Sequence, residues 1–207
     1  MGWIYHEKQE SSLCGQHCLN NLLQACIFTA PDLADIAHVL DAKERQLMLE
    51  LGHSTPDALK FQAEDSGNVD EAGNFSLQVL SEALTLRYGL RLESAGSERV
   101  AGKLSTTGYD SEAGFVCNRQ AHWFAVRSVG GRYWNLNSTL ERPEWITSYA
   151  LEATLHQYRL DGYSVFVVRG GTLPPPSTEG PYGSDAGNAE DWYGDGMTYQ
   201  PTPRPRT

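Results

Sequence analysis

The stretch HWFAVRSVGGRYWNLN, residues 122–137, constrains the fold more tightly than any other part of the chain. Two runs rich in aromatic and β-branched residues flank a Gly-Gly pair, the composition of a two-residue hairpin. If Val129 opposes Arg132, then Val126 opposes Asn135, Phe124 opposes Asn137 and His122 opposes Thr139. Alternation along each strand turns His122, Phe124, Asn135 and Asn137 to one side. His122 and Asn137 become diagonal neighbours, roughly 7–8 Å apart at the backbone and within reach of an imidazole and a carboxamide. A carboxamide oxygen accepting from one ring nitrogen fixes tautomer and rotation, leaving the other nitrogen for proton transfer. Asn135 shares that face but sits farther from His122.

Around this hairpin the apolar period changes along the chain. Helical spacing comes first. A helix is expected from about Leu13 to Gln24 with Ser11 or Ser12 as its N-cap, and Leu19, Leu22 and Leu23 supply its apolar face. A second begins near Pro31, carries Leu33, Ile36, Ala37 and Leu40, runs to Leu51 and stops at Gly52. Residues 53–74, rich in Asp, Gly, Ser and Asn, read as loop with room for one short helix. FSLQVLSEALTLRYG gives a third helix with Leu77, Leu80, Ala83 and Leu84 in register and Gly89 as its stop. Strand-like runs follow: GLRLES, GFVCN, the two arms of the hairpin and YSVFVV, with a helix at about Thr147 to Tyr158. Helices early and an antiparallel sheet late make an α+β fold. From Pro174 the chain lacks Leu, Ile, Val and Phe and holds seven of the ten prolines. That composition predicts a disordered, acidic tail over 174–207 and a folded unit over 1–173.

Two of the four cysteines fall within QESSLCGQHCLN, residues 9–20. Cys14 lies in the first turn of its helix, where the macrodipole is positive. A free thiol titrates near ~8.5, and a helix N-terminus together with an imidazolium lowers that value and prepares a nucleophile. Read by position, Cys14 is either a structural thiol or that nucleophile, with His122 as its base and Asn137 orienting the base. Gln9 stands where a side-chain amide, with the Cys14 N–H, would donate to a developing oxyanion. The spacing C-x3-C with His17 between, and Cys117 and His122 downstream, also admits zinc, but without the usual tight pairs, and a bound thiolate does not attack substrate. No metal or other cofactor is therefore expected. Cys18 and Cys26 read as packing residues, His17 as a helix-surface histidine, and His6, His38, His53 and His156 as structural or solvated.

The formal net charge is −10 and no basic stripe occurs, which argues against nucleic acid and favours a basic partner. No apolar run approaches the ~20 residues of a membrane span, and MGWIYHEKQE has no apolar segment of a secretory signal. The cysteines are accordingly expected as free thiols in a reducing compartment.

Four blocks carry a family resemblance: HEKQESSLCGQHCLNNLLQ (6–24), SGNVDEAGNFSLQVLSEAL (66–84), HWFAVRSVGGRYWNLNS (122–138) and LDGYSVFVV (160–168). In this order they resemble the Josephin domain. The resemblance implies a papain-like cysteine protease fold with an N-terminal helical subdomain, a protruding helical hairpin at about 31–60 and a C-terminal antiparallel sheet. It implies hydrolysis of the bond after the C-terminal glycine of ubiquitin, with Cys14 as nucleophile, His122 as general base and acid, Asn137 as the orienting residue and Gln9 as oxyanion donor. It further implies ubiquitin and polyubiquitin chains as partners, a monomer, and residence in nucleus and cytoplasm. Two ubiquitin-contacting patches carry over. One is at Leu77 and Gln78, with Tyr88 where relatives have a tryptophan near the helix end. The other is at Ile27 and Phe28.

Overall fold

The computed structural model describes residues 2–9, 12–50, 67–70, 74–183 and 187–194. Eight strands occur among them: β1 (Trp3–Tyr5), β2 (Arg91–Ser94), β3 (Gly114–Arg119), β4 (His122–Val129), β5 (Arg132–Leu136), β6 (Glu144–Ile146), β7 (Ser164–Arg169) and β8 (Trp192–Gly194). Five α-helices accompany them: α1 (Cys14–Leu23), α2 (Ala30–Glu50), α3 (Leu77–Tyr88), α4 (Glu98–Thr107) and α5 (Ser148–Leu160). Six strands form one antiparallel sheet in the order β2-β7-β3-β4-β5-β6. The α+β expectation holds.

The hairpin adopts the register its turn dictates. Val129 pairs with Arg132 and Val126 with Asn135, and both turn glycines take positive φ, 60° at Gly130 and 75° at Gly131. Side-chain alternation then builds two cores. On one face Val116, Trp123, Ala125, Trp134 and Leu136 pack under α1, α2 and α3. On the other, Phe115, Cys117, Phe124, Val126 and Val167 pack under α4 and α5. Helix ends are set locally. The Ser76 hydroxyl accepts from the Val79 N–H at the start of α3, Gly89 ends that helix at φ 64°, and the Thr147 hydroxyl accepts from the Ala150 N–H at the start of α5.

Besides the short strand β1, three elements were not expected. In α4 only Val100 and Leu104 are buried, one turn apart, with Gly102 between them, too sparse a pattern for a helical period. Strand β6 has three residues and forms the edge of the sheet, pairing only with β5. Strand β8 lies in the expected disordered tail, yet it pairs antiparallel with β1, and Tyr5 and Trp192 pack with ring centroids 4.9 Å apart. The folded unit therefore extends beyond residue 173. Aromatic rings at Trp192 and Tyr193 supply the apolar area that the missing aliphatics do not. The start of the tail is fixed as well: buried Arg127 donates to the carbonyls of Leu22 and Pro174. Residues 195–207 lie outside the described set, as does the second arm of the hairpin expected at 31–60.

Between β7 and the tail the backbone passes very close to the end of α3, and the Gly171 N–H donates to Gly89 O at 3.0 Å. A Cβ on Gly171 would stand 1.9 Å from the Tyr88 carbonyl oxygen. Gly171→Ala is expected to cost about 1–3 kcal/mol through backbone displacement, read as a lowered Tm in thermal denaturation. An unchanged Tm would contradict this close approach.

Candidate active site

The site forms where β4 begins. Strands β3 and β4 are joined by Gln120 and Ala121, with Gln120 at φ 57°, and Asn118 Nδ2 donates to the carbonyls of both Gln120 and His122. This fixes the first residue of β4, His122. Just past the end of β5 stands Asn137, whose Oδ1 lies 2.9 Å from His122 Nε2. Because a carboxamide oxygen only accepts, Nε2 carries the hydrogen and Nδ1 keeps its lone pair. The His122 ring stacks on Phe124, its neighbour along the same face, at 6.1 Å. Asn137 is itself held firmly. Its Oδ1 accepts from the Thr139 N–H at 3.1 Å, its own N–H donates to Asn135 Oδ1 at 3.1 Å, and its carbonyl accepts from the Leu140 N–H at 2.9 Å. Asn135 thus supports Asn137 rather than replacing it.

Helix α1 starts at Cys14 itself. Its N-cap is Leu13 and no side chain caps it, so the serine cap expected at Ser12 does not form; Ser11 lies outside the described residues. The first backbone N–H groups of α1 consequently have neither an intrahelical partner nor a side-chain cap. Cys14 is 2% exposed. It lines an open cleft of about 330 Å³ together with Gln9, Ser12, Asn74, Arg119, Gln120, Ala121 and His122. Gln9 is anchored next to Asn137: its N–H donates to Ser138 O at 2.8 Å, and the Ser138 hydroxyl donates to Gln9 Oε1 at 3.4 Å. Cys14, His122, Asn137 and Gln9 are therefore neighbours.

In one respect the arrangement departs from the ion pair that the sequence suggests. The Cys14 thiol donates to the Ala121 carbonyl at 3.1 Å, while His122 is bonded through Nε2 to Asn137. Burial pushes the Cys14 thiol above its ordinary range, and the backbone N–H groups of Trp123, Gly15 and Cys14 only partly offset this. Cys14 is thus expected to rest as a neutral thiol at pH 7 in the ligand-free protein. Its alkylation by iodoacetamide is expected to keep rising with pH through and beyond about 8.5, because the thiolate is the reactive form. A rate already on its plateau at pH 7 would contradict the neutral resting state.

Further corrections concern the histidines and Cys26. His17 is buried, and its Nδ1 meets Glu7 Oε2 at 2.7 Å. Glu7 also accepts from the Tyr5 hydroxyl at 2.7 Å and from Asn20 Nδ2 at 2.9 Å, making a polar hub beneath α1. His6 is fully buried, and its Nε2 lies 3.0 Å from the Asn137 carbonyl oxygen. Sequence reasoning missed this connection. The available signals were an Asn20-Asn21 pair inside an otherwise apolar helix and a His-Glu pair closing the apolar run WIY, both unusual unless buried and hydrogen-bonded. All four cysteines are free thiols, and Cys26, expected to pack, is exposed.

Of the residues at the carried-over patches, Leu77 is 37% exposed and Gln78 is exposed on α3. Tyr88 is half-buried three turns further along the same side of that helix. Ile27 is half-buried, and Phe28 is 7% exposed and packs in the core. Ile27 and Tyr88 share a cavity of about 220 Å³ with Pro174, Pro175 and Trp192, so the tail contributes to that surface.

Comparison with known proteins agrees with the geometry. The Josephin family model matches residues 9–169. The chain belongs to the Josephin family. Human Ataxin-3 is 46% identical over 167 residues, covering 81% of this chain and 45% of that protein. The Ataxin-3 homolog of Arabidopsis thaliana is 39% identical over 176 residues, covering 82% and 60% respectively. The homolog of Caenorhabditis elegans is 34% identical over 167 residues, covering 81% and 49%. The chain spans about half the length of the relatives it matches.

Proposed function

We propose that this Josephin protein is a thiol-dependent ubiquitinyl hydrolase that cleaves the peptide or isopeptide bond after the C-terminal glycine of ubiquitin. The observation that carries this reading is the 2.9 Å bond from His122 Nε2 to Asn137 Oδ1 beside Cys14, in a chain of this family. The Cys14 proton leaves the Ala121 carbonyl and passes to His122 Nδ1. The thiolate sulfur attacks the glycine carbonyl carbon, and the resulting oxyanion accepts from the Cys14 N–H and the Gln9 side-chain amide. Each such donor contributes roughly 3–4 kcal/mol to the transition state. Collapse breaks the C–N bond as His122 gives its proton to the departing lysine amine. Water then attacks the thioester, His122 takes its proton, and ubiquitin leaves with a free carboxylate as the thiol reforms. Ubiquitin and polyubiquitin chains dock on the patches at Leu77, Gln78 and Tyr88 and at Ile27 and Phe28. The protein acts as a monomer in nucleus and cytoplasm.

One observation favours a second reading, a ubiquitin-binding adaptor with vestigial catalysis: the thiol is bonded to Ala121 rather than to the imidazole. Turnover of a fluorogenic ubiquitin C-terminal amide, with unlabelled ubiquitin and related modifiers as competitors, separates the two. The hydrolase reading expects multiple turnovers inhibited selectively by ubiquitin. Saturable ubiquitin binding without turnover would overturn it in favour of the adaptor, and inhibition by another modifier alone would reassign the substrate.

A further inference from the structure

We infer that His6 and Tyr193 form a clamp through which the C-terminal strand β8 positions Asn137 for catalysis. This inference rests on the hydrolase reading for the significance of Asn137, and on the following geometry for the clamp.

The turn Asn137–Glu141 is gripped at both ends from outside the six-stranded sheet. At its start, His6 Nε2 lies 3.0 Å from the Asn137 carbonyl oxygen, and since a carbonyl only accepts, Nε2 carries the hydrogen. At its end, the Tyr193 hydroxyl donates to the Glu141 carbonyl at 2.8 Å. The two gripping residues touch each other: the His6 and Tyr193 rings meet edge-on, with centroids 5.9 Å apart and planes at 71°. Their backbones are registered by the small sheet, in which Ile4 pairs with Tyr193 and Tyr5 with Trp192, and by the His6 N–H donating to Asp191 O at 2.8 Å.

A purely space-filling role does not account for His6. The ring is fully buried, its Nδ1 has no hydrogen-bond partner among the described residues, and burial holds its pKa down at about 4. Leaving a buried polar atom unpaired costs free energy that an apolar side chain of similar size would not incur. What the imidazole adds is the single Nε2–H aimed at Asn137. Asn137 in turn presents Oδ1 to His122, so displacing its backbone moves the group that sets the tautomer and rotation of the base. His6 and Tyr193 act through Asn137 and are positioning residues. A C-terminal segment that composition assigns to a disordered tail thereby becomes part of the support for the active site.

The test uses the full chain. His6→Ala is expected to lower kcat on the fluorogenic ubiquitin substrate about tenfold with little change in KM, measured well below its Tm. His6→Gln, whose amide N–H reaches the same carbonyl, is expected to restore most of kcat. Tyr193→Phe, which removes only the hydroxyl and preserves the ring packing, is expected to lower kcat by a smaller factor. A readout that needs no ubiquitin accompanies these: the side-chain amide 1H–15N resonances of Asn137 should shift in His6→Ala and in Tyr193→Phe, and return in His6→Gln. Unmoved Asn137 resonances in both His6→Ala and Tyr193→Phe would overturn the clamp, as would His6→Gln performing no better than His6→Ala. Should His6→Ala fail to fold, Tyr193→Phe decides alone. A wild type that shows no turnover while the Asn137 resonances respond as expected would overturn the hydrolase reading and leave the clamp standing.

Discussion

His122→Ala is expected to lower kcat/KM for ubiquitin-amide hydrolysis by about 10²–10⁴-fold, the span associated with losing a general acid–base. Two steps depend on this ring. The first is deprotonation of Cys14, made more demanding by the burial that raises its thiol above the ordinary range. The second is protonation of the leaving amine, which as an amide anion is a very poor leaving group. With Nε2–H committed to Asn137 Oδ1, only Nδ1 can serve both, and among the described residues no second imidazole lines the cleft. His17, the nearest histidine in sequence, is engaged with Glu7. Asn137→Ala is expected to cost less than His122→Ala, because the imidazole remains, stacked on Phe124, while losing the partner that fixes its tautomer. Steady-state kinetics on the fluorogenic substrate decide the order. Wild-type activity in His122→Ala would exclude the proposed base.

Glu7→Ala is expected to be the most destabilising single substitution in the N-terminal region, by about 3–5 kcal/mol, the cost of leaving buried polar partners uncompensated. Glu7 is 7% exposed and accepts from Tyr5 and Asn20 while pairing with His17. Its backbone is tied by the same neighbourhood: its N–H donates to Asn21 Oδ1 at 2.6 Å, and Asn21 Nδ2 donates to the carbonyls of Glu7 and Leu136. Removing the carboxylate strands three donors on two elements in a region where water has little access. The midpoint of urea denaturation should fall accordingly. An unchanged midpoint would show that the hub contributes nothing to the stability of the fold.

Much of the architecture was legible because local rules and tertiary context agree. The Gly-Gly turn admits one register, period-two alternation assigns the faces, and together they bring His122 and Asn137 side by side. Helix α3 was readable for the same reason, with an apolar stripe and a terminal glycine in sequence order. Illegible features are those made by contacts between distant segments. His6 meets Asn137 across 131 residues and Tyr193 meets Glu141 across 52, and no local pattern encodes either encounter. Strand β8 was hidden by composition: averaged over a proline- and glycine-rich stretch, two aromatic residues do not register, although two rings suffice to seat three residues on β1. The upward push on the Cys14 thiol was not legible, because a helix N-terminus lowers a thiol pKa only where desolvation does not outweigh it, and the extent of burial is a property of the folded chain.

The account turns on Cys14 as the atom that attacks the ubiquitin carbonyl. Mixing the full chain with ubiquitin bearing a thiol-reactive C-terminal electrophile, followed by intact-mass analysis and peptide mapping, tests this directly. The expected result is one ubiquitin per chain, attached at Cys14 and absent from Cys14→Ala. Absence of any adduct, or attachment at the exposed thiol of Cys26, would contradict it.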